Sequence, residues 1–158
     1  MVVHAEVNAA DGPVICPYPP TPQNSLFFYI NDRIKMQIEG QEGFAWQPRS
    51  VVVGPQLTSV RLDINKSHKA VRVGFHPGGL HRLLGFSLSE MIDISFDAEH
   101  IFGREMNRLN AQLQEATGFD NISSMIQHFL LQKVKSLKPA LPIDIAMLEL
   151  VRLNGNTP

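Results

Sequence analysis

A single cysteine, Cys16, stands in 158 residues. One thiol closes no disulfide within a chain and supplies too few sulfurs for a cysteine-built zinc site, and its rarity fits a reducing compartment. The sequence also has no basic surplus. Lys and Arg total 14 against 15 Asp and Glu, a formal net charge of −1. Neutralising phosphates dominates nucleic-acid affinity, so a domain that grips DNA by itself usually carries a clear excess of cations. That composition argues against specific DNA binding by this chain alone. Long hydrophobic runs are missing as well, and a spanning helix needs about 20 apolar residues. The opening residues, Met1-Val2-Val3-His4-Ala5-Glu6, carry neither the positive segment nor the apolar stretch of a signal peptide. A cytoplasmic protein without a membrane segment is expected.

Motifs for catalysis and metal binding are missing too. The six histidines, His4, His68, His76, His81, His100 and His128, include no His-x-His pair of the kind that metal-binding barrels place on one strand. Cys16 has no histidine near it in sequence, and Ser50, Ser59 and Ser87 sit in no elbow motif. The stretch Gly74–Gly79 has neither Walker nor dinucleotide spacing, and it reads as a turn. No catalytic residue, metal or cofactor is expected.

Hydrophobic residues nevertheless make up 44% of the chain, a normal globular level, so a core is expected rather than disorder. The first half reads as β structure. Five prolines in 13–22 mark an extended or edge segment. Leu26–Ile30 is an apolar strand, and Ile34, Met36 and Ile38 alternate with Lys35, Gln37 and Glu39. With Asn31-Asp32 between them, residues 25–39 are predicted to form a β-hairpin. Val51–Val53, the alternation of Val60, Leu62 and Ile64, and that of Val71, Val73 and Phe75 add further strands, with 65–67 as a turn.

The period changes after Phe75. Pro77-Gly78-Gly79 leads into a helix carrying Leu80, Leu83 and Leu84, with Gly85 as C-cap. Ser87–Glu90 has the capping-box pattern. Residues 104–116 place Met106, Leu109, Leu113 and Ala116 on one face, stopped by Gly118. Asp120 is the predicted N-cap of a helix over 121–137 with a wide apolar stripe. A last helix starts at Pro142 and stops at Gly155.

The expected fold class is α+β: an antiparallel sandwich or small barrel over 1–76, then a helical part over 77–153. Phe28, Tyr29 and Trp46 are the candidates for a ligand pocket, because small-molecule sites are mostly apolar with a few polar groups. Ile122, Met125, Ile126, Phe129 and Leu130 form a stripe wider than a coiled-coil seam, and they are the candidates for self-association alongside core packing.

Three segments together suggest a family. They are Gln47-Pro48-Arg49-Ser50-Val51-Val52-Val53-Gly54-Pro55-Gln56, Val71–Gly79, and Leu83-Leu84-Gly85-Phe86 with Ser89–Asp93. In order and spacing they resemble the N-terminal domain of many AraC-type transcription regulators, over about residues 25–137. The resemblance implies a cupin-like sensing and dimerisation domain, a small-molecule effector, a homodimer, and DNA contact only through a C-terminal helix-turn-helix domain. Residues 143–153 resemble the first helix of that further domain. At the start the chain departs from the pattern: Pro20-Thr21-Pro22-Gln23-Asn24 stands where many members have Pro-Asp-Gly. The alternative is a free-standing cupin-like binding protein or enzyme, which convergent metal ligands in the barrel would favour. A third reading is an interaction module with a filled barrel.

Overall fold

The computed structural model describes residues 2–8, 14–65 and 67–154. Nine strands form two antiparallel sheets: β1 (Val2–Asn8), β2 (Val14–Tyr18), β3 (Ser25–Tyr29), β4 (Lys35–Ile38), β5 (Ala45–Trp46), β6 (Ser50–Val53), β7 (Val60–Ile64), β8 (Ser67–Gly74) and β9 (Ser95–Asp97). Sheet I has the order β1-β8-β3-β6-β9, and sheet II the order β2-β7-β4-β5. Five helices follow or interrupt the strands: α1 (Gly79–Leu84), α2 (Ala98–Phe102), α3 (Arg104–Glu115), α4 (Phe119–Val134) and α5 (Pro142–Arg152). The chain is therefore α+β, and no closed barrel is found among the described residues.

Alternation along the strands of sheet I decides what each face buries. Leu26 pairs with Val52 and Val73, and Phe28 pairs with Val71. Side chains of paired residues lie on the same face of a sheet. These five pack with Leu80, Met91, Met106, Leu109, Leu113, Ile122, Ile126 and Phe129 into one core between sheet I and the helices. The other face of sheet I carries Phe27, Tyr29, Val51 and Val53, and it lies against sheet II across a cavity.

The expected hairpin over 25–39 does not form. β3 pairs with β6 and β8, whereas β4 pairs with β5 and β7 in the other sheet. A strand with apolar residues on both faces belongs between two neighbours and two layers, and β3 has both. The chain crosses between sheets at buried Ile30 and Ile34. Asn31 works as a corner rather than a hairpin turn, because its Oδ1 accepts from the Lys69 backbone N–H at 2.7 Å and its Nδ2 donates to the Ser67 carbonyl.

The proline-rich stretch fits its edge reading: β2, which contains Pro17, is an edge strand of sheet II. Pro13 lies outside the described residues, as do Lys66 of the expected turn and Gly155, the expected helix stop. β9 is a strand in the part expected to be helical. It pairs with β6 and completes sheet I, so the core is shared by both halves. Three residues are too few to show a period.

The helix signals fare better. Gly85 C-caps α1 in the left-handed region at φ +81°, and Ser87 with Glu90 forms the capping box of a short 3-10 turn. Pro142 occupies the first turn of α5. The N-cap of α4 is Gly118 at φ +77°, not Asp120, which sits in the first turn beside the positive helix end. Glycine adopts that φ readily, which suits Gly118 to the start of α4, whereas α3 stops earlier, with Ala116 as its C-cap.

The stripe on α4 is core. Ile122, Ile126 and Phe129 are buried, and Met125 and Leu130 are half-buried against the same cluster. Ile122, Ile126 and Phe129 therefore have little area left for a second chain, whereas Met125 and Leu130 keep part of theirs.

His68 on β8 is buried, and its Nδ1 has no hydrogen-bond partner among the described residues. Burial lowers its affinity for a proton, against a smaller opposing pull from Asp32. The folded protein therefore binds that proton less readily than the unfolded chain does. The His68 contribution to stability is complete above the ordinary histidine range and is lost as pH falls below about 6.5. Urea midpoints at pH 7.5 and 5.5 should differ, and His68→Gln should flatten that difference. An unchanged slope would remove His68 as its source.

Candidate functional site

The two inner sheet faces enclose a cavity. From sheet I come Phe27 and Tyr29 of β3, Val51 and Val53 of β6, and Ser95 of β9; from sheet II come Tyr18, Met36, Val60 and Leu62. Gln47 and Gln56, which flank β6, complete the lining. It offers about 40 Å³ to the centres of water-sized spheres, within about 370 Å³ of space counted out to its mouth. A buried water needs at least about 10–15 Å³ on the first measure, so the interior has room for only a few small atoms before side chains move.

The polar groups are few and distinctive. Gln47 and Gln56 are 8% and 9% exposed. Tyr29 stacks with Phe27 at 6.3 Å and tilts against His68 at 5.8 Å. Burial, with a smaller contribution from Tyr18, pushes the Tyr29 phenol well above its ordinary range, so it remains a neutral hydroxyl. Among the described residues no acidic or basic side chain lines the cavity.

The three aromatic candidates are not brought together. Tyr29 lines the cavity. Phe28 is 1% exposed in the core on the other side of sheet I, as strand alternation requires of a neighbour of Tyr29. Trp46 is 53% exposed on the edge strand β5, with the Lys35 ammonium 4.7 Å and the Arg33 guanidinium 5.4 Å from its ring centre. Gln47, Gln56, Phe27 and Met36 were missed. The period-two rule, applied to Tyr29, would have found Phe27; the glutamines carry no sequence signal.

Beside the cavity, Arg72 of β8 is paired in register with Phe27. Its guanidinium donates to Ser25 Oγ at 2.8 Å and Gln23 Oε1 at 2.9 Å, and lies 5.7 Å from the Phe27 ring centre. Ser50 is fully buried on the core side, where Asn110 Nδ2 donates to its Oγ at 2.9 Å and to Glu99 Oε1 at 2.7 Å. That network joins β6 to α2 and α3. No three His, Cys, Asp or Glu side chains converge as metal ligands among the described residues.

The turn after β8 meets a carboxylate of the chain itself. Gly78 has φ +75°, and a Cβ there would fall 2.1 Å from Asp144 Oδ1. Asp144 Oδ2 accepts from the Leu141 backbone N–H at 2.8 Å, which closes the first turn of α5. Asp144 is the one buried residue of α5, while Ile143, Ile145 and Val151 are 60%, 57% and 50% exposed. This helix thus docks through its aspartate and turns apolar side chains outward.

No protein-family model matches the chain, and no curated protein matches it. Among the described residues no helix is long and apolar enough to cross a membrane.

Proposed function

We propose that the chain is the signal-receiving and self-associating part of a cytoplasmic AraC-type transcription regulator, with the two sheets as a cupin-like open barrel. In this reading a small molecule enters between the sheets. DNA is contacted only by a separate helix-turn-helix domain of the whole protein. The observation that carries the reading is the seat of Asp144 against Gly78. It links the turn leaving sheet I to α5, so a shift in the sheet changes how α5 is held. A ligand need only prefer one of the two arrangements.

Self-association is assigned to α5, which in this reading belongs to the signal-receiving part and not to the helix-turn-helix domain whose first helix its sequence resembles, with Met125 and Leu130 of α4 as a second candidate surface. A helix apolar on every side is normally covered, and α5 has its apolar side chains in solvent. Burying two or three of them contributes about 1.5–3 kcal/mol each before the cost of association. The test is a fusion of this chain to a monomeric DNA-binding domain that occupies its operator only as a dimer. Operator occupancy is expected for the parent fusion and lost with Ile145→Glu, at unchanged circular dichroism. A parent fusion that leaves the operator empty would overturn the proposal.

The placement of Gln47 and Gln56 in the cavity lining supports one other reading, a free-standing binding protein that uses the same cavity. It predicts ligand binding with no association through α5.

A further inference from the structure

From the lining of the intersheet cavity we infer that its ligand is a small neutral oxygenated molecule, apolar over most of its surface, whose hydroxyl or carbonyl is read by Gln47 and Gln56. This inference rests on the sensing role assigned to the cavity and names the ligand class.

Charge excludes most alternatives. Among the described residues the cavity wall holds no Asp, Glu, Lys, Arg or His. A carboxylate, phosphate or ammonium seated there would have no charged partner in the wall, and burying such a charge is costly. Arg72, beside Phe27, has its guanidinium oriented away by Ser25 Oγ and Gln23 Oε1, which accept from its Nε and one terminal nitrogen. A metal ion would find carboxamide and hydroxyl oxygens but no anionic ligand.

The same wall says what is accepted. Val51, Val53, Val60 and Leu62 supply apolar contact from both sheets, and Met36, an unbranched and adaptable side chain, allows local repacking. Two carboxamides, each about nine-tenths buried, bring a donor and an acceptor apiece to this apolar space. A hydroxyl can satisfy both kinds, and a carbonyl can accept from either amide. The enclosed space is only about 40 Å³, so the ligand is small and its body extends toward the mouth.

The test is a methyl-NMR titration of the chain with four probes on one carbon skeleton: cyclopentanol, cyclopentanone, cyclopentylammonium and cyclopentanecarboxylate. Saturable shifts are expected at the methyls of Met36, Val51, Val53, Val60 and Leu62 with the two neutral probes, and none with the charged pair. Gln47→Leu and Gln56→Leu, of similar volume, should each weaken cyclopentanol about fivefold to tenfold. Xenon, which needs no hydrogen bond, should still shift the same methyls in both variants. The inference fails if neither neutral probe saturates, if a charged probe binds as well, or if both variants keep the parent affinity. Failure here, with the fusion still occupying its operator, would leave the regulator reading standing and make the cavity a hydrated structural space. Binding here with a silent fusion would overturn the regulator reading and keep the ligand class.

Discussion

Ile126→Asp is expected to unfold the protein at room temperature. Ile126 is 0% exposed near the middle of α4, within the cluster that joins the helices to sheet I. The substitution removes about 1.5–3 kcal/mol of apolar burial and places a carboxyl group where no described partner waits. The combined loss is about 5 kcal/mol or more, comparable with the whole stability of a typical domain. Leu131→Asp on the same helix is the control. Leu131 is 65% exposed, so its change should move stability by no more than about 0.5 kcal/mol. Circular dichroism and urea titration read both. A folded Ile126→Asp that merely lost self-association would return the α4 stripe to the surface and contradict the packing described here.

Gly78→Ala should release α5 while leaving the sheets and the α3–α4 core folded. The added Cβ would lie 2.1 Å from Asp144 Oδ1 and 2.3 Å from its Cγ, and the backbone at φ +75° disfavours alanine on its own account. The backbone term is about 1 kcal/mol, and a clash at this distance adds about 1–3 kcal/mol or more if nothing moves. α5 is the part that can move, because its other side chains give little to the core. Amide hydrogen exchange should therefore show α5 unprotected in the variant, with α3 and α4 slow to exchange as before. Asp144→Ala in the otherwise unchanged chain removes the same dock from the helix side and should leave α5 as poorly protected as Gly78→Ala does. Uniform loss of protection across the chain would mean that the turn supports the whole fold, and unchanged protection would mean that the Asp144 contact is absent in solution.

Both variants bear on what could be read beforehand. Helix starts and stops were legible at Gly85, Ser87–Glu90 and Pro142, because capping is chemistry within a few residues of one chain. The strands of β6, β7 and β8 were legible for a similar reason: alternation is local. The division of the stripe on α4 between core and surface was not, since apolarity alone does not name the partner. Nor was the cavity, which needs two sheets laid against each other before Tyr29, Gln47 and Gln56 meet.

The sequence by itself determined the α+β class, a first half rich in strands, and the start or stop of several helices. Those properties follow from periodicity and capping, which act over at most two turns of helix or one strand. Tertiary structure alone decided that β3 and β4 part into different sheets, that β9 returns to pair with β6, and that α5 keeps its aspartate inside and its isoleucines out. Each of these depends on which distant segments compete for the same backbone hydrogen bonds and the same buried space. That competition is settled by the packing of the whole chain, and no window of neighbouring residues contains it.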